Sequence, residues 1–213
     1  MARLDKENNV KDLLLALRQF LIPRPLERCT RKCIGKCEEL KAVASQLKSP
    51  DLVTLSNLSQ FIAICSLDIS ILARHVLFPT RSWKRTLHAR HLALALYELS
   101  EDMPQLLGKS LRDILSRGSN SEQDLRGLDV CSSNLSKLLG QHKDSLHDVR
   151  IITAAHRDHN GTVLLKTIDG LDVDKMRKLA HGSMHWCADT LNYLQHVTAE
   201  RCETIINTKA NTH

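Results

Sequence analysis

The stretch Val149-Arg150-Ile151-Ile152-Thr153-Ala154-Ala155-His156-Arg157-Asp158-His159 places two arginines and two histidines in a run that otherwise follows a helical apolar pattern. Arginine holds a phosphate in a planar fork and keeps its charge. Histidine exchanges protons near neutral pH. Burying such groups without a partner or a task is costly, so the run points toward phosphate binding or phosphodiester chemistry. On an ideal helix His156 shares the stripe of Leu146, Val149 and Thr153, with His159 at the helix end. Arg150, Ala154 and Arg157 form the neighbouring stripe. Arg150 and His156 stand about 120° apart around such a helix, so the two meet only if the helix is distorted or a second chain completes the site. The plainer reading is a set of solvated cations near a helix C-terminus, where positive charge is favoured.

Three further groupings could carry chemistry. The span from Ile69 to Tyr97 contains no acidic residue but holds Arg74, His75, Arg81, Lys84, Arg85, His88, Arg90, His91 and Trp83. Arg81, Lys84 or Arg85, and His88 fall on one helix face, a footprint for phosphates, and Trp83 could stack a base. The alternative is a solvated basic face, with Glu98 pairing one of the arginines. His181 and His185 are four apart with Asp189 four beyond, a spacing that suits a divalent metal if a facing helix adds ligands such as His156 or His159. A solvent-facing pair is the plainer reading, and no cofactor is expected. Cys29, Cys33 and Cys37 share a stripe with Leu26 and Leu40 and read as small core thiols. The triplet His156-Arg157-Asp158 copies a kinase catalytic-loop string, but no Gly-rich loop accompanies it.

These residues must be positioned by helices. The chain has 213 residues, 42% of them hydrophobic but only 3% aromatic, so the core is built from Leu, Ile, Val and Ala. The net charge of +6 permits an anionic partner without requiring one. Seven cysteines without a secretory signal indicate a cytoplasmic protein with reduced thiols. The apolar run Leu13 to Ile22 is interrupted by Arg18 and is too short to span a bilayer, so no membrane partner is expected. Helices are expected over Lys6–Ile22, from about Pro25 to Lys48, Leu52–Phe78, and from Arg81 past Leu99. Pro104 kinks that helix or restarts it, and a second piece reaches about Arg117. Another helix starts at Ser121 with Asp124 as a capping partner, the Arg150–His159 helix follows Gly140, and a last helix runs from Asp172 to about Ile206. Val163 to Leu165 reads as a short irregular piece. The expectation is an all-α, antiparallel bundle of five to seven helices, one domain over 1–206 with a polar tail at 207–213.

Arg150, five intervening residues and His156, placed on the penultimate long helix of such a bundle, resemble the Arg-x(4–6)-His signature of the HEPN superfamily. The string Arg150…Ala154-Ala155-His156-Arg157-Asp158 is similar to its abortive-infection and uncharacterised bacterial branches. The resemblance implies a metal-independent endoribonuclease whose site forms at a homodimer interface. In it His156 would be the general acid/base and Arg150 would hold the scissile phosphate, with Arg157, His159, Arg81, Arg85 and His88 as further phosphate contacts. Two chains facing across a twofold axis would bring Arg150 and His156 together. Where many active members carry Asn, Asp or His after the arginine, this chain has Ile151. The resemblance also implies RNA or nucleotide as ligand and a cognate regulatory protein of a defence or toxin–antitoxin system. The alternatives are a non-catalytic interaction bundle or a metal-binding bundle around His181 and His185.

Overall fold

A computed structural model describes residues 23–77, 82–154, 170 and 172–210, with side chains over 27–76, 86–151, 170 and 172–209. Prolines open the first two described helices. Pro23 and Pro50 occupy first-turn positions, where a missing N–H costs nothing, and begin α1 (Pro23–Gln46) and α2 (Pro50–Leu77). Between them Lys48 takes φ 56°, and the Ser49 hydroxyl accepts a hydrogen bond from the Leu52 N–H at 3.4 Å, starting α2. Next come α3 (Ser82–Leu106), α4 (Lys109–Ser116) and α5 (Ser121–Leu139). After a 3-10 turn at Gly140–His142 follow α6 (Lys143–Ala154) and α7 (Val173–Ala210). Among the described residues there is no strand, and the expected all-α class is observed.

The packing follows from the apolar stripes. α2 lies against α1, α3 and α7, and its Leu52, Leu55, Ile62 and Ile69 are fully buried. α2 is also long and apolar enough to cross a membrane, over Pro50–Val76, but half of its most apolar window is buried in the bundle. α3 packs on α6, and α5 packs on α7. Two polar ties lock that second seam. The Trp186 indole N–H donates to the Cys131 carbonyl at 2.8 Å, and the Tyr193 hydroxyl donates to the Asp124 carbonyl at 2.5 Å. A third tie crosses to α4. The Arg201 guanidinium donates to the Ile114 and Leu115 carbonyls, both at 2.9 Å, closing the C-terminus of α4, and lies 3.4 Å from the Asp124 carboxylate.

Several expectations are corrected. α3 runs through Pro104 to Leu106, and the break falls at Gly108, where an added Cβ would lie 2.9 Å from the Gln105 carbonyl oxygen. Ser121 is the first helical residue, not the cap. Asn120 precedes it with no side-chain cap bond, and Asp124 is spent on Arg201. The Asp172 cap holds, accepting from the Lys175 N–H at 3.0 Å, but its helix continues to Ala210, so residues 207–210 are helical rather than tail. Of the thiol stripe only Cys37 is buried, with Cys33 intermediate and Cys29 exposed. That stripe therefore rolls out of the core toward the N-terminus of α1. The expected Lys6–Ile22 helix and the Val163–Leu165 piece lie outside the described residues.

Candidate functional site

α6 is a short amphipathic helix. Its inward stripe, Leu146 and Val149, is buried, as the sequence pattern requires. Arg150 sits one position round from Val149 and is exposed. Its guanidinium carbon lies 5.0 Å from the centre of the Tyr97 ring, a cation–π geometry. Tyr97, on α3, is itself buried, so its ring forms a fixed platform. The same ring meets His147 of α6, with centroids 5.6 Å apart. One turn further along α3, Glu101 forms an ion pair with Lys143 of α6 at 2.5 Å. Because Glu101 meets Lys143 while Tyr97 meets Arg150, α3 and α6 run antiparallel.

This seam gathers a carboxylate, a phenol, an imidazole, a guanidinium and an ammonium group. The hydrogen-bonded Lys143 holds the Glu101 carboxyl below its ordinary range, with Arg150 and Tyr97 adding to the effect. The same partner raises Lys143. Glu101 and Lys143 satisfy each other, whereas Arg150 has no ion pair with any described carboxylate. An exposed guanidinium steadied by an aromatic face rather than by an acid remains available to an anion. Next to Lys143, a cavity of about 350 Å³ opens between α3, α4 and α5, bordered by Ser100, Pro104 and Ser136.

Of the site residues expected from sequence, Arg150 is thus placed on the surface of the α3–α6 seam. His156, Arg157, His159 and Arg81 lie outside the described residues, as does the side chain of Arg85, whose backbone is in the first turn of α3. His88 is described and does not lie on an open basic face. It stacks on His75 of α2, with ring centroids 4.5 Å apart and planes inclined by 19°. Arg74 is held by Glu27 of α1 at 2.8 Å, both groups largely buried, so Arg74 is not the arginine that Glu98 would pair. His181 and His185 approach each other, Nε2 to Nε2, at 3.2 Å with edge-on rings. Both are exposed, and among the described residues no third His, Cys, Asp or Glu joins them as a metal-binding group. His185 and Asp189 border an open groove of about 740 Å³ between α5 and α7.

The sequence pattern missed Tyr97, Glu101, Lys143 and His147. A signal was present: Lys143, His147 and Arg150 are spaced i, i+4, i+7, and Tyr97 and Glu101 i, i+4, so each set lines one helix face. That the two faces meet is a fact of the tertiary fold. Compared with known proteins, the chain matches no family model, no curated protein and no solved structure.

Proposed function

We propose that this chain is a cytosolic HEPN-type helical bundle that binds RNA or nucleotide through phosphate contacts at Arg150, and that a homodimer of it cleaves RNA without a metal. The reading rests on one observation above others: Arg150 is exposed on α6, steadied over the Tyr97 ring at 5.0 Å, with no described carboxylate paired to it. In this reading Arg150 holds the scissile phosphate and offsets the charge that develops there. His156, from the same chain or its partner, moves the proton between the ribose hydroxyl and the leaving oxygen. Ile151, half exposed beside Arg150, supplies apolar surface to the twofold contact. A defence or toxin–antitoxin setting, with a cognate regulatory protein, follows from the same reading.

The test is cleavage of a labelled single-stranded RNA in EDTA by wild type, Arg150→Ala and His156→Ala. Loss of cleavage in both variants supports the full reading. Salt-sensitive RNA retention without cleavage, weakened by Arg150→Ala, leaves the binding function alone. Equal activity in all three proteins, or no retention at low salt, refutes it.

A further inference from the structure

Among the described residues of the acid-free span from Ile69 to Tyr97, Arg90 is a cation that its surroundings leave unexplained. Arg90 is 8% exposed, and its Nε is buried without a hydrogen-bond partner. No described carboxylate forms an ion pair with it. Its described neighbours in the span differ: Arg74 has Glu27, His75 and His88 have each other, and His91 is exposed. A guanidinium stays charged at any pH at which proteins fold. Burying that charge without a counter-charge is strongly unfavourable, so the position calls for an anion.

The placement of Arg90 indicates which one. It precedes Tyr97 by seven residues, about 10.5 Å along the helix axis and about 20° in rotation. On an ideal helix Arg90 therefore shares one stripe of α3 with Tyr97 and Glu101, the two residues that meet α6. Passing along α3 from Glu101 to Tyr97 to Arg90 leads from Lys143 past Arg150 and onward toward the C-terminal end of α6. On this helical geometry Arg90 falls in line with the Tyr97 platform that carries Arg150, while Glu101, the carboxylate of that stripe, is already occupied by Lys143.

We propose that Arg90 is a second phosphate contact of the strand that Arg150 holds, so that the ligand is single-stranded RNA carrying more than one phosphate. This rests on the RNA reading above. The guanidinium fork takes a phosphate oxygen pair, and the arriving anion supplies the missing counter-charge.

The experiment measures binding of a short labelled RNA across a salt series by wild type, Arg90→Met, Arg90→Lys and Arg150→Ala, together with melting of each protein in chloride and in phosphate at equal ionic strength. Arg90→Met is expected to weaken RNA binding roughly tenfold, as loss of a charge-assisted hydrogen bond does. The slope of log K against log salt should fall by about 0.7, one phosphate's worth on a single strand. Arg90→Lys, which keeps the charge and loses the fork, should restore the slope and only part of the affinity. In chloride the melting temperature of Arg90→Met should equal or exceed that of wild type, because no partner is lost. If Arg90→Met binds RNA as wild type does while Arg150→Ala does not, this inference is overturned and the RNA reading stands. If wild type binds no RNA, the RNA reading falls. Phosphate then decides: stabilisation of wild type but not of Arg90→Met keeps Arg90 as an anion site, and equal stabilisation removes it. A marked loss of stability on Arg90→Met in chloride identifies a structural counter-ion and overturns the proposal.

Discussion

Replacing Arg201 with methionine tests how the last helix closes the bundle. Arg201 makes two charge-assisted hydrogen bonds to the terminal carbonyls of α4 and approaches the Asp124 carboxylate at 3.4 Å. The two side chains are only 14% and 9% exposed. Methionine fills much of the volume but leaves two carbonyls without donors and a buried carboxylate without its cation. Removing one partner of a buried pair typically costs about 3–5 kcal/mol, and the carbonyl bonds belong to the same loss rather than adding to it. For a chain of this size about 1 kcal/mol lowers the melting temperature by roughly 2–4 °C, so a fall of about 10 °C is expected. Urea unfolding monitored by circular dichroism, with calorimetry beside it, measures both quantities. Asp124→Asn, which leaves the carbonyl bonds in place, should cost clearly less, and Asp124→Asn combined with Arg201→Met should recover part of the deficit. A loss below about 1 kcal/mol for Arg201→Met, or a larger loss for Asp124→Asn, would refute the capping argument.

A Cβ on Gly127 would lie 2.5 Å from the Tyr193 ring, which its bond to the Asp124 carbonyl holds in place. Gly127→Ala should therefore destabilise by about 1 kcal/mol despite its helix propensity gain, whereas Gly35→Ala, with nothing within 4 Å, should stabilise by up to about 1 kcal/mol in the same urea titration. Glu101 titrates below its ordinary value of 4.5, so its attraction to Lys143 is in force at neutral pH and is lost only as the pH falls through the lowered value. In Lys143→Met the Glu101 carboxyl midpoint, followed by carbon-detected NMR, should move back up toward 4.5, and an unmoved midpoint would show that Lys143 is not its main perturbation. Cys29 is exposed while Cys37, Cys131, Cys187 and Cys202 are buried, and burial pushes the half-buried Cys65 thiol up to about 11. An aromatic disulfide reagent at pH 8 should label Cys29 first and reach these five only on unfolding, which mass spectrometry of the labelled peptides would check.

What could be read from the sequence was local. Pro50 and Asp172 announce helix starts by local chemistry alone, whereas Pro23, which reads as the end of a preceding helix with the next beginning near Pro25, is itself the first residue of α1. The Leu146–Val149 stripe places Arg150 just outside the core without reference to any other element. The misreadings share a cause. Asp124 looked like a capping partner for Ser121 because both are near in sequence, but its use is fixed by Arg201, far along the chain. Cys29 and Cys33 follow the apolar period of α1, yet α2 covers only part of that period, and periodicity does not say where cover ends. His88 seemed to belong to a basic face and instead stacks on His75, since the α2–α3 pairing sets what each meets. The helix beyond Ile206 carries little apolar signal, and the last turn of α7 is exposed, so no buried stripe marks it in the sequence. The seam from Glu101 to Arg150 could be seen as two separate helix faces, not as one surface.

The order in which the chain is synthesised gives α2 a particular exposure. It carries the apolarity of a membrane span, and of the three helices that cover it α7 is the last to leave the ribosome. Until then the nascent chain displays a greasy rod of 28 residues with one flank open. To targeting factors that sample emerging segments, this rod would look like a candidate for insertion. Holdase chaperones that shield such segments would compete for it during the time needed to translate α3 through α7. Truncations ending before Val173 should therefore be drawn to membranes or chaperones, while the full-length chain escapes both once α7 has closed over α2.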